Sequence, residues 1–191
     1  NFNTQNVTDM TAMFERCSSL TSLDLSNFNT EKGFNFKSMF NSCSSLTELD
    51  LSSFNTGNVV DMQYMFNNCA KLTSLDLSNF NTANVTGMTD TFRGCSNLAS
   101  LTLGCNFTTD NVTNMSGMFR DCAKLTTLDL SNFNTENVKS MHSMFYGCSS
   151  ITTPPELLAT ELTESCYFNM FGDCTSLTTP PSLSATELAN G

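Results

Sequence analysis

Nine cysteines, a single histidine and a recurring aspartate are the residues of this 191-residue chain with chemistry to offer. Seven of the cysteines keep a clock: Cys17, Cys43, Cys69, Cys95, Cys122, Cys148 and Cys174 are spaced by 26, 26, 26, 27, 26 and 26 residues. That spacing holds no zinc, since structural zinc needs close pairs of Cys-x₂₋₄-Cys type and none occurs among the seven. Thiols that recur at the end of an apolar stripe read instead as small buried hydrophobes. Disulfides along the row are disfavoured because the Cβ vectors of successive copies run parallel. Cys105 and Cys166 fall off the clock and are expected at the surface, reacting first with an alkylating agent.

Asp24, Asp50, Asp76 and Asp129 each stand between two leucines in a Leu-Asp-Leu-Ser element, which points them outward from a strand as one acidic row. They are the candidate binding residues. Stacked carboxylates repel unless a cation or a hydrogen-bonding neighbour intervenes, which raises calcium. Calcium wants six to eight oxygen ligands, and the chain has no Gly-Asp-rich loop of the calcium-binding β-roll type, so a solvated acidic face is expected, with no metal and no cofactor. Thr21, Thr47, Thr73, Thr126, Thr152 and Thr178 form a second row, without the double array that ice binding would need. Asn6, Asn84, Asn106, Asn111 and Asn114 open glycan-acceptor sequons, but asparagine at helix caps explains most of them. His142 occupies the position held elsewhere by Thr11, Lys37, Gln63, Thr89 and Ser116, an exposed helical position with no orienting partner. General-base work needs such a partner, and neither a phosphate-binding loop nor a nucleophile elbow is present, so no enzyme is expected.

These residues sit in a frame that returns with each cysteine. Met13-Phe14, Met39-Phe40, Met65-Phe66, Met118-Phe119, Met144-Phe145 and Met170-Phe171 precede it, and Leu20, Leu46, Leu72, Leu98, Leu125, Ile151 and Leu177 follow it. A period of this size signals a solenoid whose coils contact only their neighbours. In the copy leading to Cys69, Leu46, Leu49 and Leu51 read as a short half-buried strand. At Phe54-Asn55-Thr56 the phenyl plugs a corner, while Asn and Thr bond backbone groups that a turn leaves unpaired. Val59, Met62, Met65, Phe66 and Cys69 then fall on one stripe of a short helix, with Asn58 as its N-cap and Asp61 in its first turn. The expected fold is an α/β repeat solenoid of about seven coils, with a parallel β-sheet on one face and short helices on the other. The sheet is expected from Leu23–Leu25, Leu49–Leu51, Leu75–Leu77 and Leu128–Leu130.

Residues 1–191 form a single domain, with Leu-Asp-Leu-Ser coils over 1–150 and Thr-Thr-Pro-Pro coils over 151–191, at Pro154-Pro155 and Pro180-Pro181. Proline cannot donate to a ladder, which shortens strand pairing there. Gly33-Phe34-Asn35-Phe36 departs from the frame and is expected to expose Phe34. Thr102 replaces the row aspartate, and one extra residue within Gly104-Cys105-Asn106 bulges the next turn. Neither end carries the polar cap that seals a solenoid, so the chain reads as a fragment of a longer protein. With net charge −10 and only eight Lys and Arg, it has no basic stripe for nucleic acid or anionic membrane. No apolar stretch approaches the roughly 20 residues that span a bilayer.

The recurring Leu-Thr-x-Leu-Asp-Leu-Ser-x-Phe-Asn-Thr-x-Asn-Val-Thr-x-Met-x-x-Met-Phe-x-x-Cys resembles the 26-residue surface-protein repeat of BspA-like leucine-rich-repeat bacterial proteins, over essentially the whole chain. The resemblance implies a leucine-rich-repeat solenoid that is extracellular, at the cell surface or secreted. It also implies non-enzymatic adhesion: binding a host or neighbouring-cell protein or glycan on the strand face. The alternative is a structural element, a stiff spacer or a surface-filament subunit built by self-assembly. The resemblance supplies no binding residues position by position.

Overall fold

The computed structural model describes residues 3–155 and 166–180. Pro181 and the remainder of the second Thr-Thr-Pro-Pro coil lie outside the described residues. Coils stack in parallel, one repeat apart: bridges join Asp9 to Asn35, Asn35 to Asp61, Asp61 to Gly87, Gly87 to Asn114 and Asn114 to Ser140. On the opposite side, β1 (Ser74–Leu77) pairs in parallel with β2 (Ser100–Leu103), Ser74 beside Ser100 and Leu77 beside Leu103. The parallel sheet is therefore present but short. Leu23–Leu25, Leu49–Leu51 and Leu128–Leu130 lie outside regular strands. Each of those segments runs into a turn in which the Asp side chain takes the N–H of the Ser two residues on, as Asp50 does from Ser52 at 2.9 Å. Asp76 makes the same bond with Ser78 at the end of β1, so the turn marks where a strand stops and does not forbid one. In β2, Thr102 and Gly104 replace that Asp and Ser together, and Thr102 pairs with Asp76 of β1.

The expected helices are not there: no helix occurs among the described residues. The apolar stripe is carried by overlapping β-turns. Met65, Asn67 and Cys69 donate to the carbonyls three residues back, at 3.1–3.2 Å, while the alternate residues Met62, Tyr64, Phe66 and Asn68 donate to Gly87, Thr89, Thr91 and Arg93 of the next coil at 2.6–3.1 Å. A helix needs an unbroken right-handed run, and here a left-handed residue breaks the run twice per coil. Ala12, Ser38, Tyr64, Asp90, Gly117, Ser143 and Asn169 form one such row; Arg16, Ser42, Asn68, Gly94, Asp121, Gly147 and Asp173 form the other, with φ between 51° and 73° throughout. Left-handed backbone costs an L-residue roughly 1–2 kcal/mol. The inter-coil bonds that it permits, worth about 1 kcal/mol each, offset the cost. Asn58 accordingly caps nothing; its amide reaches back to the Glu31 carbonyl at 2.8 Å, and Asp61 accepts from the Gln63 N–H at 2.9 Å. Asn84 and Asn111 repeat the Asn58 bond, to Gly57 and Ala83. His142 stays exposed, but on a turn, its ring 5.0 Å from that of Phe168.

Inside, like side chains stack on like. Phe14, Phe40, Phe66, Phe92, Phe119, Phe145 and Phe171 form a continuous ladder of near-parallel rings with centroids 5.3–5.8 Å apart. Beside it run the thiols. Each row cysteine from Cys43 onward donates its S–H to the phenylalanine carbonyl of the preceding coil, Cys43 to Phe14 and Cys174 to Phe145, at 3.0–3.3 Å. The Phe14 carbonyl also receives the Cys17 N–H, so the small side chain fills the seam and satisfies a second lone pair. Burial pushes these thiols up, Cys43 to about 11 and Cys95 and Cys148 to about 12. Two cysteines depart from expectation. Cys17 is exposed, because among the described residues no coil covers its side of the stack. Cys166 is buried: it keeps the repeat, one step after Ser140 in the bridge row, and its carbonyl accepts from the Met141 N–H at 3.0 Å. Cys105 is exposed as expected.

The Phe-Asn-Thr corner works as anticipated in kind and more specifically in detail. The buried Thr30 hydroxyl donates to the Asn55 carbonyl at 2.9 Å and accepts the Asn55 N–H at 2.7 Å; Thr4 with Asn29 and Thr56 with Asn81 do the same. One side chain thus replaces a rung of backbone ladder. Where Gly33 takes the valine position, a Cβ would meet the Phe36 ring at 2.7 Å, so the larger Phe36 fills the space that the glycine vacates. Phe34, next to it, is 44% exposed, as its departure from the frame predicts.

Candidate functional site

Asp24, Asp50, Asp76 and Asp129 are all exposed on the strand side, with Thr102 interrupting the row between the last two. The serine two residues on settles each carboxylate. Asp24 accepts from the Ser26 hydroxyl at 2.6 Å and its N–H at 3.0 Å; Asp76 and Asp129 accept from the N–H of Ser78 and Ser131 at 2.9 Å. These bonds hold all four carboxyls below the usual aspartate range, from the Ser26 hydroxyl chiefly for Asp24 and from the serine N–H chiefly for the others. The row stays charged at neutral pH. Its aspartates are therefore turn-formers as well as surface charges, a role that explains why Ser travels with Asp in the motif.

The first three members of the row are brought together and the fourth is not. Ser22, Leu23, Asp24, Glu48, Leu49, Asp50, Ser74 and Asp76 line an open hollow of about 440 Å³, with Leu23 and Leu49 as its apolar floor. Asp129 is not part of it. Glu48, whose place is held by serine in the flanking coils, adds a fourth carboxylate, next to the row as its sequence position beside Leu49 and Asp50 implies. No Lys or Arg stands on the strand segments 21–26, 47–52, 73–78, 99–104 or 126–131. The two ion pairs found among the described residues, Arg93 with Asp90 at 3.6 Å and Arg120 with Asp121 at 3.5 Å, lie on the turn side. The lining of the hollow holds four carboxylates and no Lys or Arg. Among the described residues no three His, Cys, Asp or Glu side chains gather closely enough to hold a metal ion, and no helix is long and apolar enough to cross a membrane.

Stacked parallel coils and an acidic, leucine-floored strand face define a repeat solenoid with an open acidic face. The chain belongs to the family described as "Mycoplasma protein of unknown function, DUF285", which matches residues 1–102 and again 70–183. No curated protein matches. Among solved structures, the chain is similar to a leucine-rich-repeat protein of T. pallidum, at 18% identity and TM-score 0.39, over 62% of this chain and 50% of that one. It is similar also to a leucine-rich-repeat protein of Eubacterium ventriosum, at 22% identity and TM-score 0.43, over 69% and 32% of the two chains. A leucine-rich cell surface protein of Faecalibacterium prausnitzii is matched at 15% identity and TM-score 0.29, over 88% and 67%. The chain thus spans half of the first of these proteins and a third of the second.

Proposed function

We propose that this chain is a non-enzymatic protein-interaction module of BspA-like leucine-rich-repeat type, with about seven coils, displayed at a cell surface or secreted. It would hold a cationic segment of a host or neighbouring-cell protein on its strand face. The observation that carries this reading is the hollow: four carboxylates over a leucine floor, with no Lys or Arg in the lining. A partner's Lys or Arg can pair with the rim while its aliphatic stem lies on Leu23 and Leu49.

The test uses a biotinylated lysine-rich peptide and a glutamate-rich control, at low and high salt, with the wild-type chain and the double variant Asp50→Asn, Asp76→Asn. Asparagine keeps the side-chain oxygen that takes the serine N–H, so the turns survive while the charge goes. Capture of the cationic peptide alone, weakened by salt and by the double variant, is expected. Equal capture by wild type and variant, with unchanged circular dichroism, would move the site to the turn side or to the Thr-Thr-Pro-Pro coils. The uninterrupted phenyl ladder favours a second reading, a stiff spacer or filament subunit. Regular end-to-end assemblies in electron micrographs would support it.

A further inference from the structure

We draw no further inference here: the strongest candidate, the exposed Phe34 and Val60 pair in consecutive coils on the turn side of the stack, carries nothing because nothing in the structure shows what covers it.

Discussion

Replacing Gly104 by alanine puts the coil-to-coil spacing to a direct test. Gly104 stands where the other coils carry the serine of Leu-Asp-Leu-Ser, opposite Ser78 across the β1–β2 pair. A Cβ there would overlap the Ser78 carbonyl oxygen and approach the Ser78 carbonyl carbon at 2.8 Å and Cα at 2.9 Å. All three atoms are backbone, so no side chain can swing away; the two coils must separate or the turn must rotate. Ordinary overpacking costs roughly 1–3 kcal/mol, and backbone on backbone belongs in the upper half of that range. The lower entropy of an unfolded alanine chain returns only about 0.4–1 kcal/mol. A net loss of about 2 kcal/mol follows, or roughly 4–8 °C in melting temperature for a chain of this size. Gly57→Ala is the control: its Cβ would find no atom closer than Asn55 Oδ1 at 3.5 Å, at a φ that alanine accepts, so the variant gains the entropic term without a clash. Thermal and urea melts of the two variants beside wild type make the comparison. If Gly104→Ala melts with or above wild type, the close approach of the coils at this rung is wrong.

The left-handed rows predict the opposite substitution: Ala12→Gly should raise stability by up to about 1 kcal/mol in urea melts, since φ there is 56°. Thr56→Val strands the Asn81 N–H and carbonyl and should cost roughly 2 kcal/mol, whereas Thr56→Ser should recover most of it. Alkylation of the native chain followed by mass spectrometry should mark Cys17 and Cys105 first, and leave Cys43, Cys69, Cys95, Cys122, Cys148, Cys166 and Cys174 until unfolding; early modification of Cys166 would contradict its burial. The strand-face aspartates have depressed folded pKa values, so their contribution to stability is present above the unfolded value of about 4 and is lost as pH falls through that value toward the folded one. Acid titration of Asp50→Asn, Asp76→Asn should show a shallower loss of stability below pH ~4 than wild type.

The repeat, its parallel stacking and the identity of the core were legible because like residues recur at one spacing, and stacking places them on one another. The turn ladder was not. Val59, Met62, Met65, Phe66 and Cys69 lie on one face of overlapping turns as they would on a helix, and only the left-handed residues tell the two apart. Three of those positions are glycine, but Tyr64, Arg16 and Ala12 carry no such mark. The aspartate row was visible as surface charge, whereas its second task needed the serine bonds to be seen. Cys166 is out of register with the seven-cysteine row but belongs to another, one repeat after Ser140, where its side chain is buried.

Nearly everything that joins one coil to the next, from the backbone bonds to the threonine hydroxyls and cysteine thiols, lies along the direction of stacking. Tension applied between the two ends therefore loads these bonds one coil at a time, as a zipper and not as a sheared sheet. Each coil that peels away would release roughly 90 Å of chain, the extended length of one repeat. Such a body yields in low, evenly spaced steps. An anchored copy would lengthen under drag while the coils still stacked kept their surface.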